Sequence, residues 1–466
     1  MTIWTPRIDE IAGPRYLAIA EALARDVQAG RLVPGSQLPT HRDLAERLGV
    51  TVGTVSRAYA EAERRGLTQG EIGRGTFVRQ NTPPAVLTLP DPVRYQEDPA
   101  VIDMTIVRPV GEPHGEALAR TLRRLAERQD LGVLMNYAPD GGKAGHRDAG
   151  ARWIARRGLE VDPSQVIITS GAQHGLATVI AALTEPNDLL LTEHLCYQGI
   201  NAIASQLHRR RLRGVEMDRE GLIPEALEAA CREERPRAIV AVATLQNPTT
   251  AVMGEARRQQ IAEIARQYDC WLIDDDVYGF LVEDSPPPLA SFAPERSLYI
   301  TSLSKSLMPG LRVGYVAAPE RLVAPIAASV RTSVWMPPPL MAEIGALWMA
   351  DGTADELTRW QRQEARERQA LAARILKGWE IETHAAGFHL WLHLPDPWRA
   401  SVFAQQLRAR GVVVMPADFF AVGRVRVPHA VRLSLTATGN REWLTRGLET
   451  IAELLAASPK PRVTVI

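Results

Sequence analysis

Residues 301–315 read TSLSKSLMPGLRVGY and lie between two apolar runs that have the composition of strands. A lysine in such a turn, here Lys305, can form a Schiff base with an aldehyde cofactor if neighbouring groups hold a phosphate. Ser302 and Ser304 offer hydroxyls, and Arg312 offers a planar guanidinium that suits phosphate. By itself the motif is more typical of a surface loop, so its meaning depends on the rest of the chain.

Further segments supply what a pyridine-containing cofactor needs. An apolar run at 166–169 precedes Ser-Gly-Ala-Gln at 170–173, and the backbone N–H groups of such a strand-to-helix turn can hold a phosphate. Asp275 follows the apolar run 271–273, where a carboxylate can pair with a protonated pyridine nitrogen. Taken singly, these features are ordinary turns, caps or core residues. Three more side chains could contact such a ring: Tyr278, Asn247 and Tyr197.

The order of apolar runs predicts the fold of the larger part of the chain. Between residues 100 and 466, strand-like runs alternate with amphipathic helical stretches. This alternation predicts an α/β domain whose mostly parallel sheet is covered by helices on both faces. The length leaves room for a smaller α+β C-terminal subdomain.

Composition excludes several classes of protein. The chain has 466 residues, with 54 Lys and Arg against 54 Asp and Glu, so it is not a polybasic protein that coats nucleic acid. Only four of the cations are lysines, and Lys305 is one of them. The three cysteines form no CxxC pair, so neither a disulfide framework nor a metal site is indicated. The longest apolar run, 238–245, is far below the ~18 residues of a membrane span. We therefore expect a soluble, cytoplasmic protein.

Residues 1–80 have the pattern of a small helical module. Thr40 and Thr51 each precede a short amphipathic helix, Gly49 separates the two, and a glycine-rich hairpin follows. Two short helices with this spacing predict a helix-turn-helix with a wing. With 11 Arg and 9 acids the module has a formal charge of only 11 − 9 = +2, so charge alone leaves open a docking domain. The candidate DNA-contacting residues are Thr40, Arg42, Thr51, Thr54, Ser56 and Arg57, with Arg74 on the wing.

Five prolines between residues 82 and 99 indicate an extended linker. We therefore expect a DNA-binding module at 1–80, a linker at 81–100 and the α/β domain at 101–466.

The stretch 17–78, LAIAEALARDVQAGRLVPGSQLPTHRDLAERLGVTVGTVSRAYAEAERRGLTQGEIGRGTFV, resembles a GntR-type winged helix over nearly its whole length. The resemblance implies binding to a double-stranded DNA operator. The chain departs from the family at Val52, where an arginine is common, so one expected DNA contact is absent.

The second part resembles the fold type I pyridoxal-phosphate enzymes of the aminotransferase class I/II family. The resemblance implies that Lys305 binds pyridoxal phosphate covalently and that Asp275 pairs with its ring nitrogen. It assigns Tyr278 and Asn247 to the ring oxygen, Tyr197 to the ring face and Arg432 to the carboxylate of an amino acid. The phosphate would be held by Ala172, Gln173, Ser302, Ser304 and Arg312. The matching stretches are, in family order, YAPDGGKAGHRDAGARWIARRG (137–158), TSGAQHGL (169–176), QNPTT (246–250), DDDVYG (274–279), SLSKSLMPGLRVGY (302–315) and VRLSL (431–435).

The same resemblance implies that Tyr137 reaches the phosphate of a neighbouring subunit, and hence a homodimer. Two features depart from the family pattern. Residues 108–113, RPVGEP, replace the usual Gly-x-Pro before the first large helix, and His174 stands where a glutamine or an aromatic residue is common.

A winged helix joined through a linker to an aminotransferase-like domain is the arrangement of the MocR subgroup of GntR regulators. This implies a transcription regulator that binds pyridoxal phosphate and senses an amino-acid or amine effector. The alternative is a working aminotransferase with an accessory DNA-binding module, because no residue that the chemistry needs is missing.

Overall fold

The computed structural model describes residues 4–6, 8, 13–28, 31–32, 36–64, 67–71, 75–78, 101–111, 113–423 and 427–457. Its contacts divide the chain into two units, residues 1–88 and 89–466. The predicted linker at 81–100 and the wing residue Arg74 lie outside the described residues. The predicted boundaries at 80 and 100 therefore stay predictions.

The N-terminal unit consists of three helices and one hairpin. The Thr40 hydroxyl accepts a hydrogen bond from Asp43 N at 3.2 Å and so caps the second helix. That helix ends at Gly49, whose φ of 60° places it in the left-handed region that glycine adopts easily. The five elements are α1 (Arg15–Gln28), α2 (His41–Leu48), α3 (Val52–Arg64), β1 (Thr68–Glu71) and β2 (Gly75–Val78).

A small apolar core holds this unit together. Ile19 and Leu23 of α1 meet Leu44 of α2 and Val55 of α3, and all four side chains are buried. Strands β1 and β2 pair in antiparallel register. Two adjacent helices followed by a hairpin confirm the predicted winged helix-turn-helix.

Strands of the second unit form one large sheet and several smaller ones. They are β3 (Ile102–Asp103), β4 (Val166–Thr169), β5 (Leu189–Glu193), β6 (Arg211–Val215), β7 (Met217–Asp218), β8 (Gly221–Leu222), β9 (Ala238–Ala241), β10 (Trp271–Asp275), β11 (Ser297–Ser302), β12 (Gly314–Ala317), β13 (Ile381–Glu382), β14 (His389–His393), β15 (Val412–Val413), β16 (Met415–Pro416) and β17 (Ala430–Ser434).

Helices cover both faces of the large sheet and complete the C-terminal part. They are α4 (His114–Ala126), α5 (Ala144–Ala155), α6 (Ala172–Leu183), α7 (Gln198–Asn201), α8 (Pro224–Glu234), α9 (Glu255–Gln267), α10 (Leu303–Ser306), α11 (Glu320–Val334), α12 (Pro339–Ala350), α13 (Thr353–Ile375), α14 (Ala400–Arg408) and α15 (Arg441–Ala456).

The large sheet has seven strands in the order β4-β12-β11-β10-β9-β5-β6. Strand β12 is antiparallel to both of its neighbours, while β11, β10, β9, β5 and β6 run parallel. The strands β4, β5, β9, β10, β11 and β12 are buried along their whole length, as expected where helices cover both faces. The predicted mostly parallel α/β sheet is confirmed.

One strand ends earlier than its apolar run. The sequence continues as Val-Ala-Thr after Ala241, yet β9 stops there. The reason is that Val242 N donates to the buried Glu193 side chain at 2.9 Å, so the ladder loses that backbone donor. The chain then turns into the loop that carries Asn247.

The C-terminal subdomain is built on a four-stranded antiparallel sheet in the order β13-β14-β17-β16. Its core joins Phe403 of α14, Leu433 of β17 and Leu448 of α15. Strand β3, at the start of the second unit, pairs in parallel with β15. The first described residues after 100 therefore belong to this subdomain. Among the helices that the structure describes, none is long and apolar enough to cross a membrane.

Candidate cofactor and effector site

A cavity of about 440 Å³ lies beside the carboxyl ends of β4, β5, β9, β10 and β11. In parallel sheets this edge is where ligands bind, because the loops that follow the strands meet there. The structure brings to this one cavity all the predicted cofactor and effector residues except Tyr137, namely Ala172, Gln173, Tyr197, Asn247, Asp275, Tyr278, Ser302, Ser304, Lys305, Arg312 and Arg432.

One end of the cavity has the features of a phosphate site. Helix α6 starts at Ala172 after Gly171, whose φ is +87°. The Arg312 guanidinium lies against this turn, with Nη2 donating to Ser170 O at 3.2 Å. A Cβ atom on Gly171 would stand 2.5 Å from that same Nη2, so only glycine leaves room for the arginine. A helix N-terminus and a guanidinium together favour an anion.

His174 lies on the first turn of α6 but is not among the residues that line the cavity. Its Nδ1 accepts from Ser170 N at 3.0 Å, and its Nε2 lies 2.8 Å from Ser333 Oγ. These contacts support a structural role for this histidine.

Asp275 is the last residue of β10 and is buried. Burial, together with the neighbouring carboxylates Asp274 and Asp276, raises its pKa to about 7. A cation beside the carboxylate would favour its charged form. The site therefore suits a protonated nitrogen base at this position.

Lys305 extends from α10 into the cavity. Its Nζ donates to Val107 O at 2.5 Å and lies 5.7 Å from the ring centre of Tyr278. Burial, followed by the nearby Arg432 charge, lowers its pKa to about 8, against the opposing effect of Asp275. The amine is therefore easier to deprotonate than an ordinary lysine, which a nucleophile requires.

Aromatic rings form part of the cavity wall. The Tyr197 hydroxyl donates to Gln173 Oε1 at 3.2 Å, which links two of the predicted cofactor residues. Burial raises the pKa of Tyr278, so its hydroxyl stays protonated and available as a donor. Beside it, 5.9 Å between ring centres, lies His389, and burial lowers the pKa of this histidine to about 3.

Arg432 is a buried cation on β17, with only 3% of its surface exposed. Its Nη1 donates to Asn247 Oδ1 at 2.7 Å, and its Nη2 donates to Thr105 O. The guanidinium also lies 4.9 Å from the ring centre of Phe420. Two predicted binding residues from distant parts of the sequence are thus in direct contact.

Several polar atoms at the cavity have no hydrogen-bond partner among the described residues: Asp275 Oδ1, Ser304 Oγ and Arg432 Nε. Buried polar atoms are rarely left unpaired in proteins. An acceptor, a hydroxyl and a cationic donor in one cavity would be satisfied by a ligand with a basic ring nitrogen and anionic groups. The residues present therefore fit pyridoxal phosphate.

The sequence did not identify the segment 105–108 as part of the cavity wall, although all four residues line it. The departure from the family pattern at 108–113 was the available signal, because it placed the entry loop of the site in this segment.

Tyr137 is not at the cavity of its own chain. Its side chain is 82% exposed, and its ring centre lies 5.9 Å from that of Trp335, which is also exposed. Val133, Met135 and Val334 are further exposed apolar residues nearby in sequence. This group of five residues is called the Tyr137 patch below.

The predicted DNA-contacting residues fall on α2, on α3 and on the positions that precede them. Thr40 and Thr51 cap the two helices, and the Thr51 hydroxyl accepts from Thr54 N at 3.2 Å. Arg42 and Arg57 are exposed. Ser56 Oγ lies 3.3 Å from His41 Nδ1, so it contacts the preceding helix.

Comparison with known proteins agrees with both parts of the chain. Residues 109–451 match the family "Aminotransferase class I and II", and residues 15–78 match "Bacterial regulatory proteins, gntR family". The chain is 31% identical over 452 residues to "Uncharacterized HTH-type transcriptional regulator YdeF" of Bacillus subtilis (strain 168), covering 97% of this chain and 96% of that protein.

A second relative is "HTH-type pyridoxine biosynthesis transcriptional regulator PdxR" of Corynebacterium glutamicum, 27% identical over 76% of this chain and 77% of that protein. Among solved structures, LysN, the alpha-aminoadipate aminotransferase of Thermus thermophilus, superposes with a TM-score of 0.69 at 26% identity. The match covers 77% of this chain and 92% of that one.

The family match over 109–451 fits the cavity, and the match over 15–78 fits the winged helix. The chain belongs to the family of HTH-type transcriptional regulators that join a gntR-type DNA-binding module to an aminotransferase class I and II domain binding pyridoxal phosphate, the arrangement of the MocR subgroup.

Proposed function

We propose that this regulator senses an amino acid or amine at its pyridoxal-phosphate site and that this binding changes its affinity for a double-stranded DNA operator. The observation that carries the proposal is the single cavity shared by Lys305, Asp275 and Arg432 in a chain that also has a DNA-binding module. An anchor for the cofactor and a cation for a second ligand are both available there.

The cofactor supplies an aldehyde that takes an amine covalently and a pyridine ring that withdraws electrons. Lys305 anchors it, and the Asp275 carboxylate pairs with the ring nitrogen. Tyr278 donates to the ring oxygen, with Asn247 beside it, while Tyr197 packs on the ring face.

The phosphate is held at the N-terminus of α6, where backbone N–H groups and a guanidinium meet. The residues that we assign to it are Ala172, Gln173, Ser302, Ser304 and Arg312. The close packing of Arg312 against Gly171 supports this assignment, because it holds the guanidinium beside the N-terminus of α6.

Arg432 binds the carboxylate of the effector. Its Nε has no partner among the described residues, and a carboxylate accepts two parallel hydrogen bonds from a guanidinium. An effector amine would take the place of Lys305 on the cofactor. The lowered pKa of Lys305 would favour its release as a neutral amine.

We propose further that the protein is a homodimer whose sites are completed across the interface by Tyr137. The Tyr137 patch supports this, because exposed apolar side chains close together are typical of an interface between subunits. In a C2 dimer each copy would place its Tyr137 beside the cavity of the other copy, and the two contacts would be equivalent. An operator-binding protein acts where the DNA is, so we place it in the cytoplasm.

An effector alters DNA binding only if it binds one arrangement of the protein better than another. A tenfold change in operator affinity requires a difference of about 1.4 kcal/mol between those arrangements. The domain division at 1–80, 81–100 and 101–466 provides two folded parts and a linker through which this difference acts.

The test is a spectral screen of amines against the full-length protein loaded with pyridoxal phosphate, with operator binding measured in the same samples. The operator is first selected from a random pool of DNA duplexes. We expect a visible absorption band that Lys305→Ala lacks, and at least one amine that changes both this band and the operator affinity. A wild type that gains no band with added cofactor, or amines that change the band without changing operator affinity, would contradict the proposal.

Transfer of the amino group to a 2-oxo acid is measured in the same samples, because the cavity holds the residues that this reaction needs. Turnover without any effect on operator binding would favour the enzyme over the sensor.

A further inference from the structure

Arg108 lines the cavity, but it is not among the residues assigned to the cofactor or to the effector carboxylate. Its side chain is half-buried, and its Nη2 donates to Ala437 O at 2.8 Å. Among the described residues no carboxylate forms an ion pair with it. A guanidinium has five N–H donors, so this hydrogen bond uses only a small part of its capacity.

The backbone holds Arg108 firmly at the cavity wall. Two carbonyl groups before it accept hydrogen bonds from side chains that do not anchor the cofactor: Thr105 O from Arg432 and Ile106 O from Ser434 Oγ. Lys305 also donates to Val107 O in the absence of the cofactor. Pro109 follows and fixes its own backbone φ. The backbone therefore needs no reordering when Arg108 binds a ligand, and the hydrogen bond to Ala437 O already restricts the side chain.

The charged residues that line the cavity include one cation that neither the cofactor nor the first carboxylate uses. Among the described residues that line it there are four cations, Arg108, Lys305, Arg312 and Arg432, and one carboxylate, Asp275. The cofactor phosphate occupies Arg312 and the helix N-terminus. Asp275 would pair with the ring nitrogen, the charge on the lysine nitrogen would be balanced by the cofactor's own ring oxygen, and Arg432 would take one carboxylate. Arg108 then remains a cation without a counter-ion.

We propose that Arg108 binds a second acidic group on the effector, so that the effector is an amino acid with a distal carboxylate. This inference rests on the proposed function, because it assumes that Arg432 takes the first carboxylate. A partly buried guanidinium with unused donors gains most from an anion that accepts two hydrogen bonds. A neutral side chain of equal length would leave that cation unpaired and would bind less well.

The test compares pairs of amino acids that differ only in the distal group. The pairs are L-aspartate and L-asparagine, L-glutamate and L-glutamine, and L-2-aminoadipate and L-norleucine. Each is titrated into full-length protein loaded with pyridoxal phosphate, and the dissociation constant is read from the change of the visible band. We expect the wild type to prefer the dicarboxylic member of at least one pair by roughly 10- to 150-fold, the range of a charged hydrogen bond.

Arg108→Gln should abolish this preference, and Arg108→Lys should keep part of it, because lysine retains the charge without the fork. Arg359→Gln is the matched control, since Arg359 is an exposed arginine of α13 that does not line the cavity. The control should keep the full preference. The visible band of each variant shows whether it still folds and binds the cofactor.

A wild type that binds both members of every pair equally, or an Arg108→Gln variant that keeps the preference, overturns the inference. Failure of the proposed function gives a different result. In that case dicarboxylic ligands bind in a manner that depends on Arg108, while operator affinity stays the same with every ligand. Such a result supports the role of Arg108 and contradicts the sensing of effectors.

Discussion

The contact between Gly171 and Arg312 allows a sharp test of the phosphate site. A Cβ atom on residue 171 would lie 2.5 Å from Arg312 Nη2 and 2.9 Å from its Cζ, closer than atoms in real structures approach. Gly171→Ala therefore forces the guanidinium away from the start of α6. Because this group is the end of a flexible side chain, it can move without unfolding the surrounding structure.

Two costs follow, and they appear in different measurements. An alanine at a φ of +87° costs about 1–3 kcal/mol of stability, because residues with a Cβ rarely adopt that conformation. Displacing Arg312 removes a charged hydrogen bond to the phosphate, which is worth about 1.5–3 kcal/mol. The second cost corresponds to cofactor binding that is weaker by roughly 10- to 150-fold.

Gly352→Ala is a suitable control. Gly352 precedes α13 with the same φ of +87°, and nothing lies within 4 Å of the position its Cβ would take. Its ψ is −6° against 166° for Gly171, so we expect the smaller backbone cost at Gly352, and cofactor affinity is the measurement that separates the two variants. Urea unfolding of the cofactor-free variants measures the backbone cost, and titration with pyridoxal phosphate measures the loss of the phosphate contact. We expect both variants to lose stability but only Gly171→Ala to lose cofactor affinity. Equal cofactor affinity in the two variants would refute the reasoning.

Three further predictions concern charge, DNA and assembly. Without cofactor, folded Asp275 keeps a proton up to about pH 7 that the unfolded chain releases near pH 4, so stability falls as the pH rises between these values. The free energy of unfolding of Asp275→Asn minus that of the wild type should therefore be larger at pH 8 than at pH 4, by up to about 4 kcal/mol in urea unfolding. The same difference at both pH values would contradict this. Arg42→Ala should weaken specific operator binding by about 1–3 kcal/mol in a titration. The control is Arg25→Ala, which should cause no loss, because Arg25 is exposed and pairs only weakly with Glu21. Trp335→Ser should reduce the free energy of dimer association by about 2 kcal/mol or more, measured by analytical sedimentation. An unchanged monomer–dimer equilibrium would exclude the Tyr137 patch from the interface.

Local patterns were sufficient for much of the fold and for the centre of the site. The serine-rich turn around Lys305 and the carboxylate near the end of an apolar run both have a direct chemical meaning. Because the carboxyl ends of parallel strands meet at one edge of a sheet, the predicted parallel sheet was enough to bring these two residues together.

Contacts between distant parts of the chain were not predictable in the same way. The wall formed by residues 105–108 depends on hydrogen bonds to Arg432 and Ser434, more than 300 residues away. The early end of β9 depends on a side chain, Glu193, that takes the place of a backbone acceptor. Neither set of contacts leaves a periodic pattern in the sequence, because each consists of side-chain hydrogen bonds between segments that are far apart in the chain.

The hydrogen bond between Arg432 and Asn247 joins the two binding functions of the cavity. Asn247 is assigned to the cofactor and Arg432 to the effector, and in the structure the Arg432 guanidinium donates to the Asn247 amide oxygen. An effector carboxylate that draws on this guanidinium changes what Asn247 presents to the cofactor. Coupling of this kind is reciprocal, so an effector that alters cofactor binding must have its own affinity altered by the cofactor to the same extent. Under the proposed assignments, the two ligands together would therefore set the sensing state of this regulator.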